Sequence, residues 1–184
     1  DFIDGGGGNN DQANYTGPAS RYTVANTGPL AVLLDTSATI ADVELDALNG
    51  GNGNYSGATL TLARNGGAIA EDDFVLNSGG GITVNAAART ISSGGQIIAT
   101  YVEDQGELAV SFTDANGVAP TTALVNDVIQ SIAYRNLGAS PPASVQIDYI
   151  FDDGNGGSQG AGAGQAVGSV TVQTLGSGGM GTSI

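Results

Sequence analysis

Glycine cuts this chain into short pieces. Clusters recur at Gly5–Gly8, Asn49–Gly53, Asn65–Gly67, Gly79–Gly81, Gly94–Gly95 and Gly154–Gly157. Glycine tolerates positive φ and weakens helix interiors, so each cluster marks a turn. The segments between are about ten residues long, and several alternate apolar and polar positions. Short strands at that spacing predict a β-sandwich or barrel.

The strand readings follow the period-two pattern. They are Ser20–Asn26, Leu30–Leu34, Thr39–Leu48, Ala58–Arg64, Ala70–Asn77, Ile82–Ala86, Arg89–Asp104, Gly106–Asp114, Ser144–Phe151 and Val167–Leu175. Leu30–Leu34 is continuously apolar and reads as a strand buried on both faces. Asn65-Gly66-Gly67 reads as a hairpin turn. One segment differs in period. Leu124, Val125, Val128, Ile129 and Ile132 fall at helical spacing after Pro120, with Thr121 or Thr122 able to cap. A short crossover helix is expected over about 122–132. Residues 1–19, rich in Gly and Asn, read as an N-terminal arm or linker. Residues 20–175 read as the sandwich domain, and 176–184 as a C-terminal tail.

Absences limit the chemistry. The chain has no His, Cys or Lys. That excludes a Ser-His-Asp triad, a Cys nucleophile, the usual zinc sites, Schiff-base chemistry and the lysine-dependent phosphate loop. With no Trp, a glycosidase cleft built on aromatic platforms is disfavoured, and no enzyme is expected. The net charge of −14 repels nucleic acid and anionic membranes. No apolar run is long enough to insert in a membrane as a helix. The Asp start predicts a processed product or a piece of a longer chain. The cysteine-free composition argues against a disulfide-built secreted scaffold.

The acids are lopsided, 14 Asp against 4 Glu, which favours loops able to hold Ca²⁺ through oxygen ligands. Asp148, Asp152 and Asp153, with Asn155, surround the Asp-Gly loop at the end of a strand and are the leading calcium candidates. Asp42, Glu44 and Asp46 form a second set, read as a carboxylate ladder on one strand face. Glu71-Asp72-Asp73 and Glu103/Asp104/Glu107 read as solvated charge runs. Asn14-Tyr15-Thr16 and Asn54-Tyr55-Ser56 match the N-glycosylation sequon and form a weak internal echo.

The stretches TGPLAVLLD, DVELDALNGGNGNYSGATLTLARNGG, ELAVSFT, VNDVIQSIAYRN and IDYIFDDGNGGSQG together resemble a known family. It is the cadherin-like tandem domain of very large bacterial secreted and surface proteins that carry glycine-rich (RTX-type) calcium-binding repeats. The resemblance covers roughly residues 27–175. It implies an all-β, antiparallel immunoglobulin- or cadherin-like sandwich at the bacterial surface or outside the cell. The implied role is adhesion, spacing or matrix building, with calcium stiffening the joints. GGGGNND at the start is similar to one RTX nonapeptide, but a single copy cannot close a site made between stacked turns.

The resulting expectation is a non-enzymatic structural or adhesion module, calcium-stabilised and self-associating end to end or against neighbouring tandem domains. β-Strand addition by the Ser20–Asn26 segment is one route. The alternative is a calcium-dependent carbohydrate-binding module, for which Tyr15 and Tyr55 are the candidate sugar platforms.

Overall fold

The computed structural model describes the backbone at residues 2–6, 12–16 and 24–26, and all atoms of 30–154 and 164–174. In chain order the elements are β1 (Phe2–Gly6), β2 (Gln12–Thr16), β3 (Val24–Asn26), β4 (Val32–Leu33), β5 (Thr39–Asp42), α1 (Val43–Gly51), β6 (Thr59–Arg64) and β7 (Asp72–Leu76). They continue with β8 (Thr83–Asn85), β9 (Thr90–Ser93), β10 (Gln96–Asp104), β11 (Glu107–Phe112), α2 (Thr122–Gln130), β12 (Ile132–Asn136), β13 (Ser144–Asp152) and β14 (Gln165–Thr174). The protein is an all-β, sandwich-like fold of mainly antiparallel sheets with two short helices. The large sheet has the order β3-β14-β13-β6-β11-β10-β9-β8, and two small sheets have the orders β4-β12-β7 and β2-β1-β5.

Alternation drives the central strands as expected. In β13, Val145, Ile147, Tyr149 and Phe151 point inward, while Gln146 and Ile150 stay exposed. Leu60 and Leu62 of β6, and Leu108 and Val110 of β11, continue the same buried face. Phe74 and Leu76 of β7, with Ile132 and Tyr134 of β12, join them in one continuous core. The ring edge of Tyr55 meets Phe151 at 5.9 Å between centroids.

The crossover helix forms where its period placed it. Thr121 is extended and its hydroxyl caps the Leu124 N–H, and Val125, Val128 and Ile129 are fully buried. The helix ends at Gln130 rather than 132, because Ser131 caps it and Ile132 already begins β12.

Three sequence readings are corrected. The strand expected over Thr39–Leu48 stops at Asp42. There the Asp42 carboxylate accepts the Leu45 N–H at 2.8 Å and starts α1, with Glu44 and Asp46 in its first turn. Asp at the cap with acids just inside is a helix-start pattern, and it overrode the apparent alternation. Val43 and Ala47 therefore face outward and only Leu45 is buried, so no carboxylate ladder exists. The helix breaks at Leu48–Gly50, where Asn49 and Gly50 take φ of 52° and 67°.

Leu30–Leu34 yields only the two-residue β4, with Leu30 and Leu33 exposed and Leu34 buried. The Asn65–Gly67 turn closes no hairpin. It leads from β6 in the large sheet to β7 in a small one. Within the N-terminal segment, β1 pairs antiparallel with β2 and parallel with β5.

Candidate functional site

The carboxylates singled out in the sequence do not converge. Asp148 and Asp152 share the outer face of β13, yet they are four residues apart, about 13 Å along an extended strand. Asp148 accepts hydrogen bonds from the Asn65 side chain at 2.7 Å and from the Gln146 side chain at 3.0 Å. Asp152 accepts from the Gly154 N–H at 2.9 Å and from the Gln165 side chain at 3.2 Å. Asp153 turns inward and is only 2 % exposed. Its carboxylate accepts the Gly164 N–H, and its own N–H donates to the Gly164 carbonyl, which closes the base of the following loop. Asn155 lies outside the described residues. Among those residues no group of three acids is arranged to hold a metal ion.

The second set acts at the junction of the two helices. Asp46 accepts the Tyr55 hydroxyl at 2.8 Å and the Thr122 hydroxyl at 2.5 Å through Oδ1. Its Oδ2 accepts the Asp42 N–H at 3.2 Å. One carboxylate therefore ties α1 to the loop at Tyr55 and to the start of α2. Burial, reinforced by Asp46, pushes the Tyr55 hydroxyl well above the usual tyrosine range. Glu44 Oε2 is buried and has no hydrogen-bond partner among the described residues.

The third acidic set overturns its reading as a solvated run. Asp72 is 1 % exposed. Its carboxylate accepts two hydrogen bonds from the Arg64 guanidinium, at 2.8 and 2.6 Å, a fork that suits the planar donor. The Tyr134 hydroxyl and the Asn136 amide also donate to it. This hub joins β6 of the large sheet to β7 and β12 of a small one. Beside it Arg135 pairs with Asp73 at 2.5 Å in a more exposed position.

The hub has a pH signature. Burial, then the hydrogen bond to Asp72, pushes the Tyr134 hydroxyl up to about 12. A raised folded-state value means the protonated tyrosine is favoured in the fold. Its contribution is complete below the unfolded value of about 10 and is lost as pH rises toward about 12. Denaturant midpoints of wild type should therefore fall across that window. Tyr134→Phe should show a shallower fall there, and an identical slope in the two proteins would contradict the assignment.

Tyr55, one of the two proposed sugar platforms, is fully buried, so it offers no ring to a glycan. The side chain of Tyr15 lies outside the described residues. The Asn54 amide donates to Asp114 at 3.0 Å, and Asp114 also accepts the Ser56 hydroxyl at 2.9 Å. The Asn54 contact, followed by Ser56, holds the Asp114 carboxyl below its ordinary value. Both ends of this sequon are thus engaged with one exposed carboxylate. Among the described residues no helix is long and apolar enough to cross a membrane.

Comparison with protein-family models, with curated proteins and with solved structures gave no match.

Proposed function

We propose that this chain is a non-enzymatic structural module of a bacterial surface protein, matrix or filament. It acts outside the cell and associates with further copies of itself or with neighbouring domains. The observation that carries this reading is the treatment of the sheet edges. The N-terminal segment adds β1 to β5 and β3 to β14, both in parallel. Strand addition at an edge is also how separate chains join. The resemblance to cadherin-like tandem domains points the same way.

Calcium belongs to this reading as a stabilising ion. The support is Glu44 Oε2, a buried oxygen with no hydrogen-bond partner among the described residues, on a helix that also carries Asp46 and is capped by Asp42. Buried polar atoms are normally satisfied, and an ion or water is the usual answer when protein groups are not. At a hundredfold excess over its dissociation constant, calcium should stabilise the fold by about 3 kcal/mol. The test is melting of wild type and Glu44→Gln in calcium and in chelator, with light scattering over a range of protein concentrations. The expected result is a higher melting temperature in calcium for wild type, a smaller rise for Glu44→Gln, and mass that grows with concentration. An unchanged melting temperature removes calcium from the reading, and a monomer at every concentration removes self-association.

A further inference from the structure

All strand pairings among residues 30–174 are antiparallel in the described structure. The parallel pairings described are the two made by the N-terminal segment. They are short: four residue pairs between β1 and β5, and three between β3 and β14, with Val24 opposite Val172, Ala25 opposite Gln173 and Asn26 opposite Thr174. The antiparallel body accordingly does not need β3 to complete its own ladder. Here β3 is an addition at the rim.

The acceptor is unusual for an edge. Edge strands are normally blunted by charge, proline, bulges or brevity. The ten residues of β14 include no charged side chain and no proline. Its register with β13 is unbroken from Gln165 to Gln173, without a bulge. On its outer side β3 pairs only with Val172–Thr174. β2 lies close to β14 without pairing with it. Near the other end of the strand Val167 is 58 % exposed and sits directly opposite Ile150, itself 40 % exposed. Among the described residues this edge is uncharged and regular, and its outer side is paired only at Val172–Thr174, in a chain of net charge −14.

We propose that the β14 edge is an acceptor for the β3 strand of a second copy of this chain. The occupant follows from what already sits there. A Val24–Asn26 strand fits this edge in parallel register, and every copy carries the same strand. Exchange replaces each pairing within a chain by the same pairing between chains, which is the low-cost route of domain swapping. A copy that donates its β3 and accepts another can close a pair or extend a row. Mutual repulsion of the acidic chains opposes the encounter and is screened by salt, so exchange rises with protein concentration and with ionic strength. This inference rests on the self-association reading above and assigns its donor and its acceptor.

The absence of native cysteine makes the test direct. Full-length Ala25→Cys and Gln173→Cys chains, which place thiols at partner positions of the register, are mixed reduced and then oxidised. The control mixture pairs Ala25→Cys with Ala115→Cys, a cysteine in an exposed turn. Circular dichroism of each variant first confirms the wild-type fold. The expected result is a covalent A25C–Q173C dimer, several-fold more abundant than in the control and increasing with concentration and salt. A yield no higher than the control at every concentration overturns the proposal. So does an A25C/Q173C double variant that forms only an internal disulfide. Light scattering on wild type separates the two failures. Oligomers without the cross-link leave self-association standing and remove strand exchange, whereas monomers throughout remove both.

Discussion

Asp72→Ala is expected to lower stability by about 3–5 kcal/mol, the cost of stripping one partner from a buried ion pair. For a chain of this size that is a fall in melting temperature of roughly 6–20 °C. The reason lies in what is left behind. The Arg64 guanidinium, with its side chain 17 % exposed, loses its carboxylate, and the Tyr134 hydroxyl and the Asn136 amide lose an acceptor in the same place. Asp73→Ala is the internal comparison. Its pair with Arg135 leaves the two side chains 35 % and 20 % exposed, and such pairs contribute about 1 kcal/mol or less. Chemical denaturation of both variants decides the point. Equal losses would mean that Asp72 is not the tie between the sheets.

Gly154→Ala is expected to cost about 3 kcal/mol, combining roughly 1–2 kcal/mol for a left-handed non-glycine residue with about 1–3 kcal/mol for overpacking. Gly154 has φ of 67°, and an added Cβ would stand 2.1 Å from the Gly57 carbonyl oxygen. The obstacle is backbone, so no flexible side chain can yield. The variant also separates two roles of the Asp152-Asp153-Gly154 turn. A glycine needed for close approach loses the same stability in calcium and in chelator. A loss that disappears in chelator would assign the glycine to a cation site instead.

Legibility in the sequence tracked the range of the interactions involved. α2 could be read because its cap at Thr121 and its buried stripe of Val125, Val128 and Ile129 lie within one turn or two of each other. β13 could be read because its alternation runs through nine residues. α1 reads as a strand because Val43, Leu45 and Ala47 satisfy period two, whereas in the helix only Leu45 of the three is buried. The cap that decides the matter is a single hydrogen bond from Leu45 to Asp42. The Asp72 hub was hidden because its donors come from Arg64, Tyr134 and Asn136, and a contact across 62 or 64 residues leaves no local pattern. Asp46 reads in the sequence as a calcium candidate, whereas its hydrogen bond to Thr122, 76 residues away, has no local signature. Tyr55 looked available beside glycines, whereas the same turn folds it into the core against Phe151.

The pairing of β3 with β14 also sets an order of events. Val24 meets Val172, so the residues between them must be made before the contact can form within one chain. Contacts between such distant residues carry the largest closure entropy and form late. The antiparallel neighbours of β14, reached through β13 and β6, are in place by then. On a nascent chain β3 therefore waits without its partner while the body assembles.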